Sequence, residues 1–329
     1  MKKLSLSVLF ALSTAMTANA EEKKTDELLF TITGSYSPWF VTWEQTSTAA
    51  TRFGQDAIQV DYAIDGAVAH MASLNIEVYG FDFDVELIEV PEGTEDKQNS
   101  LSEFNAGLNY TGLIGDTSLQ YQFSSASFEG SIFGSTIDND LSGSGTFETE
   151  AITHDVVIMT KWGLGFGYRS FSYDLPQDIY MVKESEPNTL LLKQFTNMEY
   201  QVDFYQIVFE KNALLKESLS NFNLGIKARY GLGTMDAFSQ AAVQMEQELA
   251  DLGRNVEGGL LGDGDVSFIE YEIFGYMPLV RSQSITADIK LGYRNKVLSA
   301  KFENSSAYKF VTDFETEFSG PYATLNFIW

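Results

Sequence analysis

The sequence predicts an all-β chain closed into a transmembrane, antiparallel, up-and-down barrel, and three observations carry that reading. Apolar and polar residues alternate with period two through segment after segment, which places them on opposite faces of a strand and scatters them around a helix. Beyond the first residues no uninterrupted apolar stretch approaches the roughly 20 that a membrane helix needs, so any crossing of a bilayer falls to strands. The connections between the alternating segments are by turns short and long, as they are when tight turns occupy one rim of a barrel and larger loops the other. Composition agrees: aromatics reach 14%, there are 26 Gly and 6 Pro, and cysteine is absent.

The chain opens with Lys2 and Lys3, an apolar run from Leu4 to about Ala15 and the small-x-small triplet Ala18-Asn19-Ala20, the pattern of a cleaved secretory signal. Residues 1–20 are therefore expected to be removed and residues 21–329 to form one barrel domain. The apolar run is too short to span comfortably, and Glu21-Glu22-Lys23-Lys24 follows at once, which disfavours a retained helix.

About twelve strand intervals follow, with ten or fourteen as the alternatives, an even number that returns both ends to one rim: 28–43, 55–65, 71–90, 103–113, 117–128, 151–162, 164–173, 197–210, 221–232, 265–276, 283–294 and 318–329. Ile58, Val60, Tyr62 and Ile64 alternate with Gln59, Asp61, Ala63 and Asp65, and Phe81, Phe83 and Val85 with Asp82, Asp84 and Glu86. The third interval changes phase at Gly80, which marks a bulge or a turn. Ile114-Gly115-Asp116 and Trp162-Gly163-Leu164 read as tight hairpins, with somewhat longer turns at Met277 to Val280 and Lys211 to Ser220. Long polar stretches at Pro91–Ser102, Glu129–Glu150, Asp174–Thr196, Gly233–Gly264 and Asn295–Glu317 are expected as loops on the opposite rim. Between Asp236 and Leu252 the period becomes helical, with Phe238, Ala242, Met245, Leu249 and Leu252 on one stripe.

The chain ends Ala323-Thr324-Leu325-Asn326-Phe327-Ile328-Trp329, with Leu325, Phe327 and Trp329 on one face and the carboxylate directly behind an aromatic ring. This resembles the terminal strand of bacterial outer-membrane β-barrels, in which a final aromatic with a second aromatic two positions earlier serves as the assembly signal. The glycine often found five residues before the end is replaced by Thr324. The resemblance implies a Gram-negative outer-membrane location, contact with outer-membrane lipid and lipopolysaccharide, and handling by the barrel-assembly machinery.

Charge and chemistry narrow the function. The formal charge is −25, and loss of Lys2 and Lys3 with the signal takes it to −27, which excludes nucleic acid as a natural partner. There are two histidines. In the outer-membrane phospholipase the nucleophilic serine lies two residues after the histidine; here Met71-Ala72-Ser73 follows His70 and Asp155-Val156 follows His154, so neither fits. His154 and Asp155, as neighbours on a strand, face opposite ways. No catalytic residue, metal site or cofactor is expected: Asp138-Asn139-Asp140 and Asp263-Gly264-Asp265 lack the spacing of a calcium loop.

Taking the apolar face of each strand as lipid-facing gives the candidate pore lining. Glu199, Gln201 and Asp203 are assigned to it, followed on the next strands by Lys227 and Arg229, by Glu270 and Glu272, and by Asp288, Lys290 and Arg294, so that charges alternate between neighbours and compensate. On the other side Asp61 and Asp65, then Asp82, Asp84 and Glu86, then Glu103, Asn105 and Asn109 have no basic neighbour. The expected function is porin-like passage of small solutes or ions through a cation-favouring lumen. The alternatives are a closed barrel serving as receptor, adhesin or structural element, and a surface enzyme acting on lipid or peptide.

Overall fold

The computed structural model of the protein describes residues 30–50, 57–90, 100–112, 116–136, 141–183, 186–212, 222–238, 240–253, 263–282, 285–302 and 313–329. The expected signal segment and the Ile114-Gly115 corner lie outside them. Twelve strands run in chain order: β1 Phe30–Ala50, β2 Ala57–Val78, β3 Phe81–Val90, β4 Ser100–Thr111, β5 Thr117–Thr136, β6 Leu141–Thr160, β7 Leu164–Lys183, β8 Glu186–Lys211, β9 Asn223–Phe238, β10 Gly264–Arg281, β11 Thr286–Phe302 and β12 Asp313–Ile328. Among the described residues one helix, α1 Gln240–Asp251, follows β9, where the helical period predicts it. Each strand pairs antiparallel with the next, and β12 pairs with β1, so the sheet closes on itself. Closure leaves no edge strand with unpaired backbone groups, the condition for spanning a bilayer with strands.

The phase change at Gly80 is a turn. Tyr79 and Gly80 have φ of 49° and 80°, the left-handed conformation of a two-residue hairpin that matches strand twist. Intervals 55–65 and 71–78 are therefore one strand, β2. Two of the five polar stretches expected as loops, Glu129–Glu150 and Asp174–Thr196, are largely strand: β5 and β6 run to Thr136 and from Leu141, and β7 and β8 to Lys183 and from Glu186. Met277 to Val280 is not a turn but a register shift within β10 opposite Ala287 and Asp288; Pro278 has no N–H to give the ladder, which suits a bulge.

The strands differ in reach. β3 and β4 have 10 and 12 residues, β8 has 26. Above the short β3–β4 hairpin, β2 pairs directly with β5 from Ile58↔Thr136 to Ala63↔Ser131. The barrel thus loses two strands on the long-loop side, and its diameter falls with strand number.

Both faces of the wall change character along its height, and β3 shows how. Outward it presents Phe81, Phe83, Val85, Leu87 and then Glu89; inward Asp82, Asp84, Glu86 and then Ile88 and Val90. Phe83 is 46% exposed whereas Ile88 is 3%. The same exchange occurs on β10, where Ile269, Tyr271 and Ile273 face out beside inward Glu270 and Glu272, while farther up Asp265 faces out and Val266 and Phe268 in. The half bearing the short turns has an apolar exterior and a polar lumen, as hydrocarbon on the outside requires. The other half is a water-soluble barrel with a polar exterior and a packed interior.

That packing spans the lumen. Tyr173 of β7 lies 6.0 Å from Phe314 of β12, ring to ring, and Tyr200 of β8 lies 5.4 Å from Phe314. Trp43 of β1, Phe128 of β5 and Phe318 of β12 form a second group, with centroids 5.7 to 5.8 Å apart. Burying each such ring contributes up to about 3 kcal/mol. Because water lies outside this half, the hydrophobic effect drives it, as it cannot where lipid is the solvent.

Candidate lumenal site

Below the aromatic layer the lumen holds a charged network. Its hub is Asp155 on β6, 3% exposed. Arg169 on β7 donates to it through Nη2 at 2.7 Å and Nε at 3.2 Å, Arg229 on β9 through Nη1 at 2.5 Å and Gln206 on β8 through Nε2 at 2.5 Å. Both guanidinium groups extend on to Glu270 of β10, at 3.5 Å and 3.9 Å. Glu272, two residues along, accepts from Lys290 Nζ at 2.6 Å and from the Tyr322 hydroxyl, with Arg294 Nη2 at 3.7 Å. Lys227 pairs with Glu210 at 3.3 Å. Charges on six neighbouring strands, β6 to β11, thus satisfy one another, the arrangement that a buried charge requires.

The structure brings together much of the expected lining. Lys227, Arg229, Glu270, Glu272, Lys290 and Arg294 all face inward within the network. Asp288 also faces inward, accepting from Asn326 Nδ2 at 2.5 Å. On the opposite wall Asp82 accepts from Asn75, Glu86 from Asn105 at 3.1 Å and Glu103 from Ser124 at 2.8 Å. Asp84 shares that face, its carboxyl filling the space beside Gly107.

Four assignments are corrected, one of them Gln201, which is exposed on the outer face and donates from Nε2 to Ser170 Oγ at 2.9 Å. Asp61 faces outward, accepting from Thr46 Oγ1 at 2.9 Å, because its neighbours Tyr62 and Ile64 are the ones buried in the lumen. Glu199 and Asp203 also face outward, since Tyr200, Val202 and Phe204 fill the interior; Asp203 accepts from the exterior hydroxyl of Tyr168 at 2.5 Å. The reason is common to all four: above the lipid belt the apolar face is the inner one. The side chain of Asp65 lies outside the described residues.

Asp155, Arg169 and Lys296 are functional candidates that the sequence reading passed over. Arg169 is the one charged residue among Leu164 to Tyr173, on the face opposite Leu164, Phe166 and Tyr168, and Asp155 opposes Ile152, His154, Val156 and Ile158. The alternation test that selects Lys227 and Arg229 would have selected both. The histidines face outward, each with Nδ1 next to a tyrosine hydroxyl: His70 to Tyr36 at 2.6 Å and His154 to Tyr121 at 3.0 Å.

A closed antiparallel wall with an apolar outer belt and a polar lumen decides the class. This is an outer-membrane type of β-barrel. Leu325, Phe327 and Trp329 sit on that belt, and Trp329 exchanges backbone hydrogen bonds with Ile32 across the closing seam. No protein-family model matches the sequence, and no curated protein does. Among solved structures the chain is similar to the outer membrane protease OmpT from Escherichia coli, at 8% identity over 93% of this chain and 100% of that one, with a TM-score of 0.35. It is also similar to the TodX monoaromatic hydrocarbon channel, at 8% identity over 92% and 90%, with a TM-score of 0.33.

Proposed function

We propose that the protein is a sealed outer-membrane barrel that works at the surface of a Gram-negative cell as a receptor, adhesin or structural element. The observation that carries this reading is the contact between Tyr173 and Phe314, which joins opposite walls where a channel would keep an aperture. In support, the upper half is a tapered barrel with its own apolar core, a rigid support for whatever connects its strands outside. Its exterior is acidic: Glu89, Glu148, Glu150, Glu199, Asp265 and Glu315 face outward there, so a binding partner would be cationic or bridged by cations. Lipid and lipopolysaccharide would surround the lower belt after insertion by the assembly machinery. The histidine contacts favour this reading over an enzyme: the hydrogen-bond partner of Nδ1 is a tyrosine hydroxyl at both His70 and His154.

Porin-like diffusion is the second reading, favoured by the polar lower lumen and by the acidic wall of Asp82, Asp84, Glu86 and Glu103. Planar-bilayer recording of the refolded, heat-modifiable barrel under a salt gradient separates the two. Electrical silence is the expected result. Reproducible steps would overturn the sealed reading, and their loss of cation preference on replacing Asp82, Asp84 and Glu86 by Asn and Gln would assign selectivity to that wall.

A further inference from the structure

Beneath the aromatic layer lies a cavity of about 290 Å³, close to the lower end of small-molecule sites. At the roughly 30 Å³ that liquid water gives each molecule, it has room for about ten waters, and covalently bonded atoms pack more closely than separate waters, so an aromatic amino acid fits. Its charges are unevenly satisfied. Asp155, Glu270 and Glu272 are neutralised by neighbours, but among the described residues Glu86 and Glu103 on one side accept only from neutral donors, Asn105 and Ser124. Across the lumen Lys296 forms no ion pair among the described residues; it lies 5.8 Å from the Phe318 ring and feels Glu270 and Glu103 only at longer range. Arg294 beside it is paired with Glu272 at 3.7 Å and faces Glu86 at longer range. An acidic wall therefore faces a basic one across open space.

A second, independent observation points to a ligand. Three buried donors that line the cavity have no hydrogen-bond partner among the described residues: Trp39 Nε1 and Gln45 Nε2 from β1, and the Tyr173 hydroxyl from the facing strand β7. Each belongs to a side chain more than nine-tenths buried, and leaving such a group unpaired costs about 1–3 kcal/mol. Trp43, Phe128 and Phe318 supply an apolar ceiling.

We propose that this cavity binds a small zwitterion with an apolar body, of the α-amino acid class. Its ammonium sits against Glu86 and Glu103, its carboxylate against Arg294, Lys296 and the Trp39 indole N–H, and its side chain under the Trp43 and Phe318 rings. A molecule carrying both charges is required because either alone would leave one wall uncompensated. The site is independent of whether the barrel conducts.

The test is a binding titration of the refolded mature barrel in detergent with L-leucine, L-phenylalanine and L-tryptophan, beside 3-phenylpropionate and 2-phenylethylamine, which each lack one charge. At least one amino acid should bind saturably, and the two analogues about tenfold or more weaker than L-phenylalanine. Lys296→Gln and, separately, Glu103→Gln should each weaken amino-acid binding by a similar factor while heat-modifiable migration is kept. If none of the three amino acids binds saturably, or if either analogue binds as well as L-phenylalanine, or if both variants leave binding unchanged, the assignment is wrong.

Discussion

Asp155 is the buried carboxylate on which donors from β7, β8 and β9 converge. It has one carboxylate to offset Arg169 and Arg229, and both guanidinium groups turn toward it from different strands. Asp155→Asn keeps the volume and removes the charge, leaving two cations to share Glu270. Breaking a buried network in this way costs about 3–5 kcal/mol, which urea unfolding in lipid vesicles would register as a lower midpoint. Asp203→Asn removes a carboxylate that the sequence reading also placed in the lumen. Because Asp203 faces outward beside Tyr168, its loss should change stability by no more than about 0.5 kcal/mol. Equal costs at both positions would contradict the assigned facing. The contrast also shows what single residues disclose. Alternation told which residues share a face with Asp203, but period two is blind to which face is inner. Only the knowledge that lipid gives way to water partway up the wall resolves it, and nothing within Glu199 to Phe204 records that height.

The strands were legible where their exterior meets lipid and illegible where it meets water. Phe81, Phe83 and Val85 against Asp82, Asp84 and Glu86 leave no choice of face, and the structure agrees. Glu129 to Glu150 reads as loop because its polar residues are frequent, yet those on the outer face are solvated strand positions such as Glu148 and Glu150, with Phe147 and Thr149 buried between them. Turns were clearer, since their chemistry is local. Gly80 marked one, and its partner Tyr79 is the described non-glycine residue with positive φ, a conformation that a bulky side chain adopts at a cost of about 1–3 kcal/mol. Asparagine tolerates it. Tyr79→Asn should therefore raise unfolding stability by about 1 kcal/mol and leave the β2–β3 register intact. A loss of stability instead would mean that the Tyr79 ring, 76% exposed in the isolated protein, gains more from the membrane interface than the strain costs.

At the scale of the whole molecule, the wall has two inner and two outer surfaces joined at one level, and the four tryptophans report on them separately. Trp39 and Trp43 lie in the lumen beneath and within the aromatic layer, both buried, whereas Trp162 is in the β6–β7 turn and Trp329 ends β12, both exposed on the lipid-facing side or its rim. If the upper half were an ordinary extension of the transmembrane wall, with apolar residues outward, Trp39 and Trp43 would face hydrocarbon like the other two. The inverted arrangement makes a distinct prediction for protein reconstituted with brominated lipids, which quench indole emission on contact. The Trp39→Phe/Trp43→Phe double variant, emitting from Trp162 and Trp329, should be quenched strongly. The Trp162→Phe/Trp329→Phe double variant, emitting from inside, should be quenched little and should show the blue-shifted emission of a dry environment. Strong quenching of both would place Trp39 and Trp43 against lipid, dissolve the aromatic layer as an interior feature, and with it the argument that the lumen is sealed.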